Sequence, residues 1–141
     1  MSVELNHTIV FARDNRASAE FLARILDLEV GTPWGPFVPV STANGVTLDY
    51  VSLPAEHPLA SQHYAFLVTE DEFDGVFARI KEAGIEYWAD PHFKQPGEIN
   101  HNHGGRGVYF LDPGGHGMEV ISAPYTFDTP EPGDTPESGR A

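Results

Sequence analysis

Apolar and polar positions along this chain fall into two similar series, each opening with a strand pattern and passing into a helical one. The run Leu5 to Phe11 is rich in apolar and β-branched residues, which reads as a strand. Asp14 then offers an N-cap, and Ala17, Phe21, Leu22, Ile25 and Leu26 recur at helical spacing, so a helix is predicted over about residues 15–27. From Glu29 to Pro39 the chain is punctuated by Gly31, Pro33, Gly35 and Pro36 and can hold only short strands and turns. Asn44-Gly45 marks a tight turn between strands near residues 37–42 and 46–53. Residues 54–61, with two prolines, read as a linker.

The second series opens on Gln62-His63-Tyr64-Ala65-Phe66-Leu67-Val68. Thr69 with Glu72 three residues on makes a capping box, Phe73, Val76, Phe77 and Ile80 supply an apolar stripe, and Gly84 a stop, predicting a helix over about 70–83. Ile85 to Trp88 and Gly107 to Leu111 read as strands on either side of a long polar loop. Asp112-Pro113-Gly114-Gly115 turns the chain into a last strand, Met118 to Ser122. From Thr126 onward prolines and acids replace the apolar pattern, so residues 126–141 read as an acidic, proline-rich disordered tail behind one domain, 1–125, whose modules span about 4–53 and 62–124.

The repetition extends to residues that can bind metal. His7 and His63 open the two series, and Gly45-Val46-Thr47-Leu48-Asp49 parallels Gly115-His116-Gly117-Met118-Glu119, with an acid four residues after the glycine in both. If each half folds as one unit and a pseudo-twofold relates them, His7, Asp49, His63 and Glu119 converge as a metal-site hypothesis.

Composition narrows the functions. A chain of 141 residues can bury a core without disulfides, and the absence of cysteine removes thiolate nucleophiles and Cys-based metal sites. Twenty-one acids against eight bases give a formal net charge of −13, which argues against nucleic acid as a partner. No signal-like segment opens the chain and no apolar run approaches the roughly 20 residues a membrane helix needs, so a cytoplasmic protein without membrane contact is expected.

The order strand, helix, strands, twice over, with a histidine opening each module and the run Tyr109-Phe110-Leu111-Asp112-Pro113 through Gly117-Met118-Glu119, resembles the vicinal oxygen chelate superfamily. That superfamily includes glyoxalase I, bleomycin-resistance proteins, fosfomycin-resistance thiol transferases and extradiol dioxygenases, and the likeness covers about residues 4–124. It implies an α+β fold of two βαβββ modules forming a curved mixed sheet around a pocket, commonly in a homodimer. It further implies that His7, His63 and Glu119 hold a divalent ion with coordination positions open to a substrate that chelates through adjacent oxygens. Fe(II) is the favoured ion; Mn, Ni, Co and Zn suit the same ligands. Asp49 falls where glyoxalase I places a glutamate; being one methylene shorter, it either ligates, acts through water, or is a polar strand end.

Other candidates follow. Tyr109 matches a tyrosine that contacts substrate in fosfomycin transferases and is a catalytic candidate, or else a core aromatic. His101 and His103 form a His-x-His pair that on a strand would share a face, and in a loop would meet substrate or solvent. Arg106 either anchors a carboxylate or phenolate or is an exposed charge, and Tyr64 and Trp88 are aromatics suited to lining a substrate pocket. The function expected is that of a metal-dependent enzyme acting on a small substrate by vicinal-oxygen chelation, in an extradiol-dioxygenase-like reaction. The alternatives are a glyoxalase-type lyase or isomerase and a non-catalytic protein that sequesters an aromatic antibiotic; fosfomycin thiol transfer fits less well, since Val120 to Tyr125 contains no Arg or Lys for a phosphonate.

Overall fold

The computed structural model describes residues 2–126; the tail beyond Thr126 lies outside the described residues. The chain divides into two compact units, one of residues 1–61 with 112–115, the other of 62–111 and the chain from 116 onward.

In the first unit β1 (His7–Ala12) leads into α1 (Asn15–Leu26), followed by β2 (Val38–Ser41) and β3 (Thr47–Ser52). The helix begins where the sequence places its cap: the Asp14 carboxylate accepts the Ala17 N–H, and the chain leaves the helix through Asp27 in the left-handed region. β3 is the middle strand, parallel to β1 and antiparallel to β2. Period-two alternation then sorts the side chains. Val10, Ala12, Val38, Val40, Leu48 and Tyr50 share one buried face, and α1 packs on this sheet with Ala19, Leu22, Ala23 and Ile25 buried. The opposite face carries His7, Ile9, Phe11 and Asp49, with Ile9 and Phe11 nearly half exposed.

The second unit repeats the plan with β4 (His63–Leu67), α2 (Glu70–Glu82), β5 (Gly107–Leu111) and β6 (Gly117–Ile121). β6 is the middle strand, parallel to β4 and antiparallel to β5. The capping box forms as expected: Thr69 Oγ1 accepts the Glu72 N–H, and the Glu72 carboxylate accepts the Thr69 N–H. The second of these bonds is the main reason that the Glu72 pKa lies below the usual glutamate value. Phe73, Val76 and Ile80 are buried, as are Val108, Phe110, Met118 and Val120 on one face of the sheet. His63, Ala65, Leu67, Tyr109, Leu111, Glu119 and Ile121 occupy the other face.

One expectation changes. The predicted strand over Ile85 to Trp88 contracts to an isolated bridge, in which Trp88 and Tyr109 exchange backbone bonds at 2.9 Å. The chain then turns at once into a loop closed by the Asp90 carboxylate, which accepts the N–H groups of His92, Lys94 and Gln95. Val30 makes the corresponding single bridge to Val40 in the first unit. Each module is therefore a three-stranded mixed sheet with one helix, and its fourth strand is reduced to one residue. Among the described residues no helix is long and apolar enough to cross a membrane.

Leu22 is fully buried in α1. Leu22→Ala is expected to lower stability by about 2–5 kcal/mol, read from the urea midpoint, because the helix can close only part of the cavity left behind.

Candidate metal centre

Strand register in the second unit brings His63, Tyr109 and Glu119 to one face. Tyr109 lies directly opposite Glu119 across the antiparallel β5–β6 pair, which places both side chains on the same side of the sheet. His63 reaches Glu119 from the parallel neighbour β4, whose Ala65 is the residue in register with Glu119. His63 Nε2 stands 3.0 Å from Glu119 Oε1, and the Glu119 side chain is almost wholly buried. The other carboxylate oxygen, Oε2, accepts the hydroxyl of Tyr125 at 2.5 Å. The Tyr125 hydroxyl oxygen lies 3.1 Å from that of Tyr109, and its ring stacks on His103 with centroids 4.2 Å apart.

Burial raises the pKa of Tyr109 far above the ordinary tyrosine value, and the neighbouring Glu119 carboxylate adds to the shift. Tyr109 thus stays a neutral phenol and a hydrogen-bond donor at neutral pH.

The donor set fits a divalent ion. Two ligand atoms each about 2.1 Å from one ion and at right angles to one another are separated by about 3.0 Å. His63 Nε2 and Glu119 Oε1 show that separation without rearrangement. A neutral imidazole with an anionic carboxylate also suits a borderline cation.

His7 and Asp49 share one face of the first unit's sheet. Asp49 is in register with Ile9, two residues along β1 from His7. His7 is exposed, and its Nδ1 donates to Asn6 Oδ1 at 2.8 Å, which fixes the tautomer that carries the lone pair on Nε2. Asp49 is buried, and its Oδ1 has no hydrogen-bond partner among the described residues. An unanswered carboxylate oxygen at 4% exposure is costly unless a proton, a water or a cation meets it. The described residues hold no preassembled group of three or more His, Asp or Glu side chains.

The remaining candidates are distributed differently. Tyr64 alternates with His63 along β4 and so lies on the opposite face from Glu119, where its ring meets that of His116 edge-on. The guanidinium of Arg106 is engaged by α2: Nε bonds Glu70 at 3.1 Å, Nη1 bonds Asp74 at 2.9 Å, and the group lies over the Phe73 ring. The Asp74 bond, first among several causes, raises its pKa further. Arg106 thus straps the start of β5 to the first turns of α2. Trp88 is half-buried, with its ring against Phe93. His101 and His103 lie at a 3₁₀ turn, Asn102–Gly104, and not on a strand, so they share no sheet face; His101 is exposed.

Tyr125 was not legible from the sequence. It lies beyond the last strand, outside any periodic pattern, and only an aromatic next to Pro124 distinguishes it from the polar tail.

Residues 4–120 match the model of the Glyoxalase/Bleomycin resistance protein/Dioxygenase superfamily. The chain belongs to this superfamily. It is similar to the solved structure of oxidase ChaP-H2, at 59% identity and a TM-score of 0.85, over 89% of this chain and 97% of that one. Oxidase ChaP-H1 is 53% identical, with a TM-score of 0.85 over 89% of this chain and 100% of the other. A glutathione transferase, FosA of Serratia marcescens, is 29% identical over 124 residues, 85% of this chain and 81% of its own length. The superfamily thus spans relatives with unlike reactions on one fold, and the side chains on the sheet face have to decide among them.

Because the folded state holds the Tyr109 proton more tightly than the unfolded chain does, this group's contribution to stability is complete below the unfolded tyrosine pKa of about 10 and declines as pH rises above it. In an ultraviolet titration of folded protein, Tyr109→Phe should therefore remove no titrating phenol. Loss of one ionisation step below about pH 11 would contradict the assignment.

Proposed function

We propose that the chain is a metal-dependent oxidase-type enzyme that binds a small substrate through two adjacent oxygens, with extradiol-like cleavage of a catecholic ring under Fe(II) as its specific form. The observation that carries the reading is the His63–Glu119 pair, two candidate ligand atoms 3.0 Å apart, the carboxylate buried. Support for oxidase chemistry comes from the likeness to the two ChaP oxidases, whose identity to this chain is far above the level at which only a fold is shared.

His63 and Glu119 supply two ligands in this reading. His7, with Nδ1 tied to Asn6 and Nε2 carrying the lone pair, is the third candidate ligand in this reading. Asp49 is the further acid available to the ion or to a water on it. A divalent ion bound there would act as a Lewis acid toward the substrate's two oxygens and, as Fe(II), would support chemistry with dioxygen. The protein's own part begins with Tyr109, a phenol held neutral by burial, whose single hydroxyl hydrogen would turn from Tyr125 to a substrate oxygen when substrate binds. Trp88, bonded to Tyr109 through both backbone groups, is the aromatic placed beside this donor to meet a planar substrate.

Exposed Ile9, Phe11 and Leu67, together with Leu111, lie on the sheet faces that bear the ligands, and a homodimer would cover them.

Elemental analysis of protein purified anaerobically without an affinity tag, beside His63→Ala, tests the reading. Near-stoichiometric iron that disappears in the variant, with dioxygen uptake on adding a catechol, is the expected result. Wild-type protein that takes up neither iron, manganese, nickel, cobalt nor zinc would overturn it and leave sequestration of an aromatic ligand as the use of the fold.

A further inference from the structure

The segment after β6 has no counterpart in the metal-site reading, yet it makes the most specific contact to Glu119. We propose that Tyr125 is a positioning residue that fixes how Glu119 meets the ion: its hydroxyl holds Oε2, so that Oε1 alone is presented beside His63 Nε2. The inference rests on the metal-site reading above.

The hydrogen bonds have one consistent direction. The Tyr125 hydroxyl donates to Glu119 Oε2, so its oxygen is left to accept from the Tyr109 hydroxyl 3.1 Å away. The chain Tyr109 to Tyr125 to Glu119 satisfies both phenols and the buried carboxylate oxygen together, and such linked bonds reinforce one another. A carboxylate with both oxygens open can chelate a single ion and take two coordination positions. With Oε2 held by a phenol, Glu119 takes one, and the position released is available to the second oxygen of a chelating substrate.

Tyr125 is held in place from several sides. Ser122 Oγ accepts the Arg106 N–H at 2.8 Å and bonds the Glu70 carboxylate, while the Ser122 N–H goes to the Arg106 carbonyl at 2.9 Å. Gly105 approaches so closely that a Cβ there would lie 2.7 Å from both Ala123 Cβ and Ser122 Oγ. Beyond Tyr125, the Thr126 N–H donates to His103 Nδ1 at 3.0 Å, and the His103 ring stacks on the tyrosine. His103 enters this stack from a left-handed backbone conformation, φ 57°, at the 3₁₀ turn. The loop 101–106 is accordingly the holder of the tyrosine, and Arg106 belongs to that holder.

Co(II) titration of the full chain under anaerobic conditions, read by calorimetry and by the visible spectrum of the bound ion, tests the proposal. Tyr125→Phe keeps the ring on His103 and removes only the hydroxyl. It is expected to weaken Co(II) binding about 10–100-fold, the usual cost of losing a group that orients a ligand, and to change the visible bands as Glu119 is freed to chelate. Gly105→Ala, which alters no ligand or phenol chemically but pushes Ser122 and Ala123 back and so displaces Tyr125, is expected to shift affinity and spectrum in the same direction. Thermal melting of both variants separates these effects from unfolding. Folded Tyr125→Phe with wild-type or tighter affinity and an unchanged spectrum would overturn this proposal and leave the metal-site reading intact. Wild-type protein that takes up no Co(II) would overturn both.

Discussion

A carboxylate buried in the middle strand of a sheet has to be answered by its neighbours, and the second unit is organised around that demand. Glu119 sits on β6 with a strand on each side, at 2% exposure. Leaving such a group charged and unpaired would cost several kcal/mol, a large part of a small domain's net stability. His63 answers one oxygen from the parallel neighbour, and Tyr125 the other from beyond the strand's end. Because β4 and β5 flank the same residue, the acid is met by an imidazole from one side and faces, in Tyr109 on the other, a phenol that keeps its proton.

The first unit has the same plan with a different outcome. Asp49 is the acid of its middle strand, but its antiparallel neighbour in register is Pro39, where Glu119 has Tyr109. No phenol is supplied, and Asp49 Oδ1 stays unanswered among the described residues. The pseudo-repeat therefore preserves the placement of histidine and acid while the surroundings diverge. One acid has a complete set of partners, and the other retains an unmet lone pair that a cation or its water would satisfy.

Much of this is legible in the sequence. The caps at Asp14 and Thr69 stand where local chemistry puts them, since a side-chain oxygen answering a free N–H two or three residues on is a short-range event. The apolar stripe Phe73, Val76 and Ile80 is buried as its spacing predicts. Ile85 to Trp88 failed as a strand because β-propensity says nothing about how much partner strand is within reach; only Trp88 finds one, and the Asp90 turn then takes the chain away. The chemistry of Tyr64 suits a pocket, and that of Arg106 suits a pocket anchor or an exposed charge. Where their side chains go depended on the acids of α2 in one case and on strand parity in the other.

The sequence by itself determined the two-module order, the helix boundaries, the family, and the candidacy of His7, His63, Glu119, Asp49 and Tyr109. These are carried by periodicity, caps and short motifs, all of which act over a few residues. Tertiary structure alone decided that His63 Nε2 and Glu119 Oε1 stand 3.0 Å apart, that Tyr109 keeps its proton, and that Tyr125 closes the network. Those outcomes depend on register between strands more than fifty residues apart and on a loop stacking against the chain's far end. Both are long-range facts, and no local pattern encodes them.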